Sequence, residues 1–164
     1  MDIPEEEEDE KLALDYFQQA YSCQMKGDLE DAVELYKKSI SIVPTAEAHT
    51  FLGWTYSFMG RYDDAIAECR QAIGIDPDFG NPYNDIGAYL IEMGDYEAAI
   101  PWLEKATEAR RYENYCFPHY NLGRVYERKH QWLKAKQCYR DSLQHNPQYT
   151  LAKASLRRLR AMMN

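Results

Sequence analysis

Several things are missing from this chain, and each absence removes a class of function. No apolar run approaches the roughly 18–20 residues needed to span a bilayer. The opening stretch, MDIPEEEEDE, has neither the basic start nor the apolar segment of a secretory signal. The four cysteines, Cys23, Cys69, Cys116 and Cys138, show no CxxC spacing, so they read as reduced thiols of a cytosolic protein. No GxSxG, Walker loop or HExxH occurs. Histidine is scarce, with His49, His119, His130 and His145 only. Cys116 and His119 have a metal-ligand spacing, but Pro118 lies between them and no second pair is near. Neither catalysis nor a metal nor a cofactor is expected.

Positive charge is absent where acids crowd. Residues 1–10 hold seven acids and no base; the rest of the chain has 19 bases against 20 acids. A nearly neutral body lacks the basic surface that phosphate binding needs, which excludes nucleic acid as the main partner. At 164 residues and 45% hydrophobic content, the chain has enough apolar mass for one domain or one short stack of repeats.

What the chain does contain is a period. Gly53, Gly87 and Gly123 each sit in an apolar-Gly-x-x-apolar stretch, and Ala65, Ala99 and Ala135 follow each glycine by twelve residues. Ala32 marks an earlier copy, with Ala20 in its glycine slot. Each copy reads as two helices, such as Ala46–Met59 and Tyr62–Ile75, with apolar residues at three- and four-residue steps. Gly27, Gly60 and Gly94 break the helices in three copies, and His130 takes that place in the fourth. Pro44, Pro77 and Pro147 close three copies. Pro101 lies deep enough in its helix to kink it or loosen one backbone bond. Small residues at the glycine and alanine positions let paired helices approach closely. No pair buries its apolar face alone, so the pairs must stack side by side.

The run Leu52-Gly53-x-x-Tyr56, then Ala65, Ala72 and Pro77, resembles the tetratricopeptide repeat. The resemblance covers 12–149 in four copies, 13–45, 46–79, 80–115 and 116–149. It implies an all-α superhelix of four helix-turn-helix repeats, with 150–164 as a C-terminal capping helix. Residues 1–11 read as a disordered acidic arm. The third copy has Arg111 where a closing proline is usual, then two extra residues, making Arg110–Cys116 an irregular joint.

The family's first helices line a concave groove that takes peptides or helices of partner proteins. Helical phase puts Phe17, Tyr21 and Gln24 there in the first copy and Thr50, Trp54 and Phe58 in the second. The later copies contribute Asn84 and Ile91, then Tyr120, Arg124 and Arg128. The early end is aromatic and the later end cationic: residues 124–160 carry ten bases and two acids. One branch of the family grips terminal carboxylates with a Lys and an Asn one turn apart. Here those slots hold Phe17 and Tyr21, then Thr50 and Trp54, so that clamp is not expected. The resemblance implies a non-catalytic, cytoplasmic protein-binding adaptor or co-chaperone-like scaffold that does not insert into membranes. The alternatives are a homo-oligomer that self-assembles through its convex or end surfaces, and a chaperone for a secreted protein. The acidic arm reads as solubilising, or as folding back on the basic end to exclude an acidic partner.

Overall fold

In the computed structural model, which describes residues 4–163, helix follows helix, and the described residues form no strand beyond one isolated bridge. The chain divides into two compact units, Met1–Pro77 and Asp78–Asn164. The first holds α1 (Glu5–Lys26), α2 (Leu29–Ile42), α3 (Ala46–Phe58) and α4 (Tyr62–Ile75). The second holds α5 (Gly80–Glu92), α6 (Tyr96–Glu108), α7 (Cys116–Arg128), α8 (Trp132–His145) and α9 (Thr150–Met163).

In the first unit each helix packs on the next, and α1 also touches α3. The close approach expected of Gly53 is observed: a Cβ there would lie 2.9 Å from the carbonyl oxygen of Ala65. That oxygen belongs to rigid backbone, so even a methyl group would force the helices apart. Thr45 starts α3 by accepting the Ala48 N–H at 3.1 Å. Gly27 and Gly60 turn the chain between paired helices at φ of +88° and +73°, conformations open to glycine at little cost.

The acidic start departs from expectation. Glu5–Glu10 are not a disordered arm but the first turns of α1, which extends to 22 residues. Glutamate is a good helix former, and carboxylates at a helix N-terminus interact favourably with its dipole. Residues 1–3, also assigned to the arm, lie outside the described residues.

In the second unit α5 through α9 pack in order, and α5 also meets α7. A core of Ile91, Ala99, Leu103, Leu122 and Val125 joins the first two pairs, and a second of Ala135, Tyr139, Leu156 and Leu159 seats α9. α6 passes through Pro101 as one helix. His130 takes φ +58°, the left-handed turn that glycines make elsewhere. The joint after α6 is a clasp. The Arg111 N–H donates to the Asp78 carbonyl and the Gly80 N–H to the Arg111 carbonyl, both at 2.9 Å. Tyr112 then packs where a side chain on Gly80 would have to sit.

Candidate functional site

The first unit presents an aromatic face. Phe17 and Tyr21 on α1 meet Phe51 on α3 edge-on, at centroid distances of 5.2 and 5.8 Å. Trp54 follows at 5.7 Å from Phe51, and Phe58 at 5.1 Å from Trp54. Phe17, Phe51 and Trp54 are half-buried, whereas Phe58 and Tyr21 remain 53% and 43% exposed. Each ring therefore rests on a neighbour that fixes it while part of the row faces water. Such pairs add about 0.5–1.5 kcal/mol beyond the area they bury. Leu14 and Met25, also exposed, share the α1 stripe of Tyr21 by helical spacing.

Thr50 does not join this face. It is buried, and its hydroxyl donates back to the Ala46 carbonyl at 2.7 Å. Gln24 is buried too, where its Oε1 accepts the Tyr36 hydroxyl at 2.7 Å. Phe51 at the centre of the row was missed, although it follows Thr50 directly and stands four residues before Thr55 on the same helix. A face one residue wider would have included it.

The second unit presents a cleft of about 670 Å³ with both polar and apolar walls, Tyr120, Arg124, Glu127, Arg128, Tyr139 and Arg158 among them. Arg124 donates to Glu92 Oε1 at 2.9 Å and to Asn121 Oδ1 at 3.2 Å. Asn121 in turn donates to Asn84 Oδ1 at 3.0 Å. Glu127 receives the Tyr139 hydroxyl at 2.6 Å and Arg158 at 2.5 Å. That carboxylate strengthens the hold of Arg158 on its proton. Arg128 is exposed and makes no ion pair among the described residues. Tyr120 packs between Tyr139 and Tyr149, at 5.6 and 5.2 Å.

Two expected contacts turn inward here. Asn84 is buried and spent on Asn121, and Ile91 is 6% exposed within the core, although its edge reaches the cleft. The phase of a first helix does not separate residues that face a ligand from those that face the next helix pair, because adjacent positions serve both. Asp85, not singled out from sequence, occupies in α5 the repeat position that Phe51 has in α3. Burial pushes its carboxyl up to about 7, and a hydrogen bond with the Asn84 side chain offsets part of that rise.

Paired helices joined by tight turns, each pair packed on the next within its unit, define a helical-repeat protein. Two tetratricopeptide-repeat models match the chain, over residues 46–79 and 78–148. The chain belongs to the tetratricopeptide repeat family, and its fold class is that family's all-α superhelix. It is 33% identical over 82 residues to small glutamine-rich tetratricopeptide repeat-containing protein 2 of Mycosarcoma maydis, covering 49% of this chain and 23% of that one. It is 32% identical over 93 residues to the SGT1 homolog of Oryza sativa subsp. japonica, covering 56% and 25%. The chain thus spans about a quarter of the length of these relatives. The solved structure of pilF from Pseudomonas aeruginosa superposes with a TM-score of 0.85 at 24% identity, covering 92% of this chain and 68% of that one. Proteins of this family bind other proteins. No helix among the described residues is long and apolar enough to cross a membrane.

Proposed function

We propose that this chain is a non-catalytic, co-chaperone-like adaptor that captures a segment of a partner protein on the faces of its first helices. In the first unit Tyr21 and Trp54 act as apolar anchors, with Phe58 beside them. In the second, Arg128 contacts an anionic group, and Arg124 joins it by exchanging Glu92 for the incoming acid. The observation that carries this reading is the aromatic row from Phe17 to Phe58, held ring on ring yet open to water. Aromatic and arginine side chains are the usual anchors of protein interfaces.

The test is capture of a partner from native lysate, identified by mass spectrometry and then measured as a purified pair. Trp54→Ala with Arg124→Ala is expected to weaken that pair at least about thirtyfold while helicity by circular dichroism is kept. Undiminished affinity in the double variant defeats the site assignment.

A further inference from the structure

The two units differ in charge: the first has six bases and seventeen acids, the second thirteen bases and ten acids. The difference is concentrated in two helices. α1 carries Glu5, Glu6, Glu7, Glu8, Asp9 and Glu10 in succession, none of them in an ion pair among the described residues. α9 carries Lys153, Arg157, Arg158 and Arg160 and no acid. Among the described residues only Arg158 of these is neutralised, by Glu127.

Each charged helix borders an exposed apolar patch. Beside the acids, Leu12 and Leu14 are 45% and 54% exposed. Leu14 forms one wall of a cleft of about 440 Å³ with Ala13, Phe17, Val43 and Thr45, and Glu10 stands at its rim. Glu7 and Glu10 continue the helical stripe of Leu14. Beside the bases, Leu133 is 74% exposed, the largest value among the described large apolar side chains, and Met162 and Met163 are 59% and 42% exposed. Leu133 and Met163 line a shallow, almost wholly apolar recess of about 570 Å³ with Trp132 and Lys134.

We propose that the chain associates head to tail with a second copy, the acidic start of α1 lying along the basic edge formed by α9 and the start of α8. Leu14 of one copy would meet Leu133 and Met163 of the other, with Glu7 and Glu10 opposite Arg157 and Arg160. The occupant is another copy because the two surfaces are opposite in charge and alike in apolar character, and every copy carries both. The charge distribution also sets the orientation. Two first units repel each other strongly, so a head-to-head contact is disfavoured, whereas first unit against second is attractive. Such a contact is heterologous, leaving one free head and one free tail. The contact uses none of Tyr21, Trp54, Arg124 and Arg128, the anchors proposed for partner capture, although Phe17 lines the cleft beside Leu14, so different substitutions test the two readings.

Sedimentation of the full chain over a concentration series at low and high salt tests the proposal. Wild type is expected to self-associate at low salt and to dissociate at high salt, as screened charges require. Leu14→Glu blocks the head, and Leu133→Glu with Met163→Glu blocks the tail. All three positions are exposed, and circular dichroism verifies that each variant is folded. Each variant alone should be monomeric, with association weakened at least about tenfold. An equimolar mixture should form a single dimer, because one intact head and one intact tail remain. Charge reversal supplies the second route: Glu7→Lys with Glu10→Lys should abolish association and regain it when mixed with Arg157→Glu plus Arg160→Glu. A wild type monomeric at every concentration overturns the proposal. So does a dimer that survives in either blocked variant, or a mixture that stays monomeric.

Discussion

The first helix pair and the fourth solve one packing problem with different chemistry. Tyr36 and Tyr139 hold the same place in their pairs, each fully buried, and each donates its hydroxyl to a residue twelve positions earlier. Ser39 and Ser142 likewise donate to the carbonyls of Ala13 and Cys116, both at 2.7 Å. The acceptors differ. Tyr36 finds the neutral Gln24, whose Nε2 is left buried without a partner. Tyr139 finds Glu127, whose second oxygen takes Arg158 from α9. One atom's difference in the acceptor thus decides whether the contact ends inside the pair or fastens a further helix. The middle pairs have Cys69 and Leu103 at this position, in place of a tyrosine.

Exchanging the acceptors is the strongest way to break the comparison. Gln24→Glu buries a carboxylate with no cation to meet it, and should cost about 3 kcal/mol in urea unfolding at neutral pH. The reciprocal Glu127→Gln keeps the tyrosine bond but releases Arg158, so it should cost only about 1 kcal/mol, seen as faster amide exchange in α9. Equal costs would mean that the acceptor's charge is irrelevant.

Phe51 and Asp85 offer a second contrast, a ring and a carboxyl at one repeat position. The folded-state pKa of Asp85 lies above its ordinary 3.8, at about 7. The folded state therefore binds the proton more tightly than the unfolded state between those values. The group is without penalty below its ordinary value and destabilises progressively as pH rises through about 7. Asp85→Asn should flatten that slope and stabilise the protein at alkaline pH by about 2 kcal/mol, measured by thermal melts across a pH series. An unchanged slope would place the carboxyl in water.

The smallest effect concerns the turns. Gly27 and His130 both adopt positive φ, but only histidine has a Cβ that resists it. His130→Gly should stabilise the second unit by about 0.5–1 kcal/mol in the same urea assay. A loss instead would assign the His130 ring, 5.3 Å from Trp132, a larger packing role than the turn costs.

The helices were legible in the sequence because the period is enforced by sterics. Gly53 faces a backbone oxygen, Gly87 the Leu103 side chain and Gly123 the Tyr139 ring, so the small residues could not drift without parting the helices. The candidate binding faces were less legible. Tyr21, Phe58 and Arg128 are exposed and Trp54 is half-buried, whereas Thr50, Asn84 and Ile91 are absorbed by neighbours. Whether a polar residue faces water depends on what the next pair supplies. Asn84 is buried because Asn121 stands opposite, 37 positions away, and no local pattern reports that pairing. The helical start of α1 was hidden by its own acidity, since consecutive carboxylates suit a solvated coil and a helix N-terminus equally well.

The clasp at Arg111 bears on how such a chain can grow. Its two hydrogen bonds bring the residues entering the third hairpin beside those leaving it. A segment whose ends are already neighbours can be copied or excised as a cassette, because the flanking chain needs only a short splice to close the gap.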